Sequence, residues 1–388
     1  MHFPGPRKAA RSVATRRIFL GGLAALASTS AARGVEADAL GDIVASFDGE
    51  RKSRGVPSIS VALVENGRIS LAQRGVRSAS RGEAVGPETR YQAASMSKTV
   101  AALTALKLSV DKRVFLDEDV AHYLKRWQLP ALPAGSSKPV TLRRLFGMTA
   151  GCNVPGYFGY AAGAALPDDV QILRGAKPAN SPPVMVVRAP GTVRVYSGGG
   201  CQIGQVVLED ATAQSFGDLV EALVLGPLGM AHSAFSQPPQ PQDVAQLAIA
   251  HDRNGREVAG NWHVYPELAA AGLWSTPSDL AQLIVAMARA AKGDRTTLFG
   301  ERGLGELLTS VDDLGYGLGV ALAGAGRDRV AMKRGNNLGF RGGLVACPST
   351  GQGAVVMTNG DGGEPVADAV LDALARRYHW PARAPWPE

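Results

Sequence analysis

Residues 58–64 and 68–76 are rich in β-branched and aliphatic side chains and flank Glu65, Asn66 and Gly67. An Asn-Gly pair between two such runs is a strong hairpin signal, so the chain is expected to open its folded part with antiparallel strands. A different pattern fills 95–108, which is Ala- and Leu-rich, lacks Gly and Pro, and is apolar nearly all round. That reads as a helix running through a core. Helical spacing recurs at 141–148, 201–213, 216–225 and 278–291, separated by Gly- and Pro-rich loops such as 178–183. Strand-like runs return at 316–322, 329–333, 343–346 and 354–358, and a last helix is expected over 365–378.

Strands at both chain ends with helices between them predict an α+β fold. One mainly antiparallel sheet is built from the two ends of a single 40–378 domain, with a helical region inserted at about 109–300. The composition agrees: 388 residues, 45% hydrophobic and 19% charged, are enough for a large core, and 47 Gly with 24 Pro supply many turns. No internal repeat is found.

The net charge of +7 suggests an acidic partner until its position is considered. Five of those charges, Arg7, Lys8, Arg11, Arg16 and Arg17, lie in residues 1–32, which hold no acid. A nucleic-acid partner therefore loses its support. The same segment has a twin arginine, an apolar run from Gly21 to Ala27, and small residues at Ser30, Ala31 and Ala32. This is the pattern of a twin-arginine export signal, which predicts a periplasmic or secreted protein; no other segment reads as a membrane span. Cys152, Cys201 and Cys347 are an odd set and are read as buried apolar side chains. His122, His232, His251, His263 and His379 lack metal-ligand spacing, so neither a metal nor a cofactor is implied.

Three short constellations carry candidate chemistry. Ser95 and Lys98 open the apolar helix three residues apart, on one face, where an amine reaches a hydroxyl. A serine needs such a base to become nucleophilic, and a helix N-terminus favours an oxyanion. By itself the pair also fits a capping serine followed by a solvated lysine. Tyr196 precedes Ser197, Gly198, Gly199 and Gly200. A phenol there, with an ammonium nearby, is suited to moving protons, although a half-buried tyrosine at a turn is the plainer reading. Gly198, Gly200 and Gly204 imitate a dinucleotide loop, but the spacing is one residue too long and no acid-ended second strand follows. The third constellation is Lys333, Arg334 and Gly335, placed at a strand end and followed by Asn336. A lysine there offers positive potential to a carboxylate, and the glycine lets substrate approach the backbone; the plainer reading is a solvated basic pair.

In this order and spacing the three resemble the penicillin-recognising serine hydrolases, in particular the class C β-lactamase branch with its D-alanyl-D-alanine peptidases and esterases. The similarity extends to Leu-Phe-Gly-Met-Thr-Ala-Gly at 145–151, Gly-Pro-Leu-Gly-Met at 226–230, Trp274-Ser275-Thr276 and Thr358-Asn359-Gly360. The resemblance implies acylation of Ser95, proton transfer shared by Lys98 and Tyr196, and an oxyanion hole from the N–H groups of Ser95 and Asn336. It also implies that Lys333 orients a small-molecule or peptide acyl substrate. Two departures bear on that substrate. Gly198 stands where the family's Tyr-x-Asn motif has asparagine, which removes an amide-binding side chain. Lys333 is retained where many esterase relatives carry His or Trp, which favours a carboxylate. A peptidase or β-lactamase-like activity is expected ahead of a plain carboxylesterase, with a non-turnover cell-wall-binding protein as the alternative from a different class.

Overall fold

The computed structural model describes residues 1–2, 39–300 and 302–382; the expected export signal, apart from its first two positions, falls outside them. Seven strands form one antiparallel sheet in the order β3-β2-β1-β9-β8-β7-β6. They are β1 (Ser58–Glu65), β2 (Arg68–Ser78), β3 (Glu83–Ala84), β6 (Ala321–Ala323), β7 (Val330–Asn337), β8 (Phe340–Cys347) and β9 (Gln352–Thr358). A separate pair joins β4 (Tyr91–Gln92) to β5 (Trp274–Ser275). The two chain ends meet at β1 and β9, in register from Ile59↔Thr358 to Val64↔Gly353, so the expected α+β architecture is present.

β1 is central and buried on both sides. Ile59, Val61 and Leu63 face one core, shared with helix α5 (Gly363–Arg377), while Ala62 and Val64 face the other, shared with α4 (Pro277–Ala291). With both faces apolar, polar pairs help set the register. The Ser60 hydroxyl lies 2.8 Å from Tyr91 Oη, and Ser58 Oγ donates to Asn359 Oδ1 at 2.7 Å. The β1–β2 turn has φ of 50° at Asn66 and 77° at Gly67, the left-handed geometry for which Asn-Gly is suited.

Between β4 and β6 lie the helices that carry most of the larger core: α1 (Ser97–Val110), α2 (Gly198–Thr212), the short α3 (Leu268–Ala271) and α4. Along α1 every residue from Ser97 to Leu108 except Lys107 is buried, as its all-round apolarity requires. Three expectations are corrected. The strand expected at 316–322 shortens to β6, because Gly315 and Gly319 take φ of 77° and 71°, which extended backbone does not allow. The expected helix 216–225 divides into a regular turn, Phe216–Val220, and a wider one, Glu221–Leu225. Lys333 lies inside β7 rather than at its end, since the strand continues to Asn337.

The motifs at 145–151 and 358–360 prove to be scaffolding. Gly151 adopts φ 75°, and a Cβ on it would lie 2.2 Å from Arg188 O. Asn359 accepts the Ser58 N–H and donates to Val76 O and Arg77 O, tying the end of β1 to β2. The three cysteines are buried and unpaired. No described helix is long and apolar enough to cross a membrane.

Candidate active site

The nucleophile candidate sits on a strained turn. Helix α1 starts at Ser97, not Ser95; a 3-10 turn, Ala94–Met96, precedes it because Ala94 takes φ 50°. A non-glycine residue in this region costs on the order of 1–3 kcal/mol and persists only where its surroundings hold it. Ala93 N donates to Leu273 O at 2.8 Å. Ser97 Oγ donates to Ala94 O at 2.5 Å and accepts from Leu273 N at 3.0 Å. Of residues 91–98, Ser95 alone is not buried, so the turn presents one hydroxyl and hides its neighbours.

Lys98 is 1% exposed. Burying an ammonium costs several kcal/mol unless acceptors replace its water. Two do: Nζ donates to Ser95 Oγ at 2.9 Å and to Ala270 O, on α3, at 2.7 Å. This four-residue helix is itself held from both sides. Ala269 N donates to Gln205 Oε1 at 2.9 Å, and Gln205 Nε2 donates to Asp169 Oδ1 at 2.9 Å. Asn337 Nδ2 donates to Ala271 O at 3.2 Å and to Gln92 Oε1 at 2.7 Å. Sequence reasoning missed this brace. Its one visible trace is the polar stripe Gln202, Gln205, Glu209 at helical spacing on the otherwise largely apolar α2.

Tyr196 lies just before the start of α2, where Ser197 Oγ caps the helix by accepting Gly200 N at 2.9 Å. The ammonium of Lys333 is 4.6 Å from the centre of the Tyr196 ring, and that of Lys98 is 5.2 Å from it. Burial pushes the phenol pKa up, but Lys98 and Lys333, aided by hydrogen bonding with Ser95 and Lys333, outweigh it and bring it down to about 8.

Lys333 arrives from β7. The short β6 pairs only with Val330–Met332, which leaves that edge of β7 unpaired in the sheet from Lys333 onward. Successive side chains alternate across the strand. Lys333 is 7% exposed and faces Tyr196, while Arg334 pairs with Asp368 of α5 at 2.7 Å. The solvated-pair reading therefore fails. Gly335 also makes a close backbone approach. A Cβ there would lie 2.3 Å from Ala93 O, so glycine lets β7 press against the nucleophile turn. Asn336 is exposed, and its Nδ2 donates to Glu364 Oε2 at 3.2 Å.

Ser95, Tyr196, Lys333, Arg334 and Asn336, with Pro155 and Gly156, line a cavity of about 410 Å³. A cleft of about 620 Å³ between Leu106, Phe115, Arg143 and Phe299 contains none of these residues. Gly198 forms part of the wall behind the active-site cavity. A Cβ on it would meet Tyr157 Cε2 at 3.1 Å, Gly156 Cα at 3.3 Å and Pro155 O at 3.4 Å. Gly198 N donates to Pro155 O at 3.0 Å, and a side chain here would press on the Tyr157 ring and on the backbone of 155–156. Neither nearby asparagine compensates. Asn153 is bonded to Pro183 O and Met185 N, and the Asn337 amide holds Gln92 and Ala271; neither lines the cavity.

The chain is similar to several known proteins. The protein named flp of Staphylococcus aureus (strain N315) is 25% identical over 235 residues, covering 58% of this chain and 42% of that protein. The chain thus matches less than half the length of this curated relative. A penicillin-binding protein homologue from Pyrococcus abyssi, described as octameric, superposes with a TM-score of 0.70 at 23% identity over 87% of this chain and 77% of its own. A D-alanine carboxypeptidase from Burkholderia cenocepacia superposes with a TM-score of 0.67 at 21% identity over 87% of this chain and 100% of its own. These structural likenesses establish the fold. A family model described as Beta-lactamase matches residues 42–377, and the chain belongs to the β-lactamase family.

Proposed function

We propose that this protein hydrolyses an ester or amide through an acyl-enzyme at Ser95. The observation that carries the reading is Lys98 Nζ at 2.9 Å from Ser95 Oγ, with both Lys98 and Lys333 close to the Tyr196 ring. Ser95 Oγ attacks the carbonyl carbon while its proton passes to the Lys98–Tyr196 pair. The resulting oxyanion is held by the N–H groups of Ser95 and Asn336. The scissile bond then breaks, and the leaving group takes that proton. Water repeats the sequence on the Ser95 ester, releasing the acid and restoring the hydroxyl. A phenol at about 8, beside a Lys98 amine already engaged with two acceptors, favours Tyr196 as the proton acceptor.

Lys333, at the cavity wall, suits a substrate with a carboxylate, which supports peptidase or β-lactamase-like chemistry, as does the D-alanine carboxypeptidase among the structural neighbours. The missing side-chain amide and the tight packing at Gly198 support the second reading, a carboxylesterase whose substrate has no amide beside the scissile carbonyl. Labelling with a fluorescent penicillin separates these activities. Rapid loss of label is the expected result for β-lactamase chemistry. Absence of label with fast hydrolysis of short-chain esters marks an esterase, and stable label without turnover overturns the hydrolase reading in favour of a binding protein.

The phenol supplies a pH test. Its basic form accumulates above about pH 8, so ester hydrolysis should rise through that value. K333M removes one ammonium and returns the phenol toward its ordinary pKa near 10, moving the ascending limb up by roughly one pH unit. A limb that stays in place would exclude Tyr196 as the titrating group. Export to the periplasm or beyond belongs to the same proposal, rests on Arg16, Arg17 and the apolar run after them, and is checked by cell fractionation.

A further inference from the structure

Asn336 stands between two cavities, the one around Ser95 being the first. That residue also lines a second, strongly charged cleft of about 840 Å³, with Arg253, Arg341, Asp361, Glu364 and Asp368 on its walls. Most of these charges are already matched. Asp361 is held by Arg341 at 2.7 Å and by Gly339 N–H at 2.8 Å, and Asp368 is held by Arg334 at 2.7 Å. Arg54, at the far side, is engaged by Glu50 at 2.9 Å. Two groups are left over. Among the described residues the half-buried Glu364 carboxylate has only the neutral amide of Asn336, at 3.2 Å. Arg253 is exposed and makes no ion pair among the described residues. A cleft that adjoins the cavity of Ser95 at Asn336 and holds one unmatched anion and one unmatched cation is complementary to a ligand carrying both charges.

We infer that this cleft is a distal subsite for a substrate segment bearing a cation and a carboxylate together, the chemistry of a basic amino acid or of the end of a short peptide. Glu364 receives the cation and Arg253 the carboxylate, while Asn336 marks the boundary with the reacting centre. This rests on the acyl-serine reading for its link to catalysis, and it narrows the substrate from any carboxylate-bearing acyl compound to one with a doubly charged tail.

The test uses the full chain and two substrates sharing one scissile ester, one with a tail ending in lysine with its free carboxylate, the other ending in norleucine amide. The wild-type protein should show the lower KM for the lysine tail, a preference that shrinks as salt is raised. R253A, and E364Q, which keeps an oxygen for Asn336, should each raise that KM about fivefold, the size of a partly exposed charge contact. Neither should move kcat or the KM of the norleucine substrate. Equal KM values in the wild type, or variants that affect both substrates alike, would overturn the subsite. Failure of the acyl-serine reading is visible separately, as survival of turnover in S95A. Should neither substrate turn over, calorimetry with Nα-acetyl-lysine against Nα-acetyl-norleucine amide still decides: binding of the first alone, weakened by R253A and by E364Q, supports the subsite, and any other pattern refutes it.

Discussion

Replacing Ser95 with alanine is expected to lower kcat for a simple acyl ester by at least about 10⁴-fold, because no other group in the cavity is placed to form the acyl bond. That corresponds to about 5.5 kcal/mol of lost transition-state stabilisation. The fold should hardly notice. Ser95 borders the cavity, so water can replace its Oγ as the second acceptor for Lys98, and Ala270 O is untouched. Thermal melting within a few degrees of the wild type, together with loss of covalent labelling by an acyl probe, is the outcome that supports the mechanism. Turnover that survives the exchange would refute it.

The second large effect is expected at a residue that performs no chemistry. In G335A the new methyl group would start 2.3 Å from Ala93 O, far inside any real contact. Either β7 or the nucleophile turn must retreat by several tenths of an ångström or more. Overpacking of this kind costs about 1–3 kcal/mol of stability. The larger consequence is geometric. Ala93 leads into the strained Ala94–Met96 turn that carries Ser95, and β7 carries Lys333 and Asn336, so one displacement moves the nucleophile relative to both. A misplacement near 1 Å can cost about 10²-fold in rate. A variant that stays folded, melting several degrees below the wild type, yet loses that much kcat is the expected result; wild-type kcat would show that the packing of Gly335 against Ala93 does not set the site.

Much of the fold was legible because its signals are local. The 58–64 and 68–76 strands follow from side-chain preference, and their turn follows from the need for two left-handed residues, which Asn66 and Gly67 meet. The all-round apolarity of 95–108 requires burial wherever that helix is placed. The helix expected at 201–213 begins three residues earlier, at Gly198, because Ser197 caps it; Gly199 has no room for a side chain, since a Cβ on it would lie 2.9 Å from Val184 Cγ1.

Local sequence therefore specifies the candidate groups and their short-range geometry: Ser95 and Lys98 one turn apart, a phenol at Tyr196, a lysine at 333, on a fold whose ends form one sheet. How those groups are tuned depends on contacts between distant segments. Lys98 finds its second acceptor 172 residues away at Ala270 O. Tyr196 owes its lowered pKa to Lys98 and Lys333, which come from a helix and a strand far from it in the chain. Gly335 makes room for Ala93 O, and Gly198 packs against the Tyr157 ring and the backbone of 155–156. Spacing and propensity act over a few residues, whereas burial, electrostatic fields and close approach depend on which distant segments the core brings together.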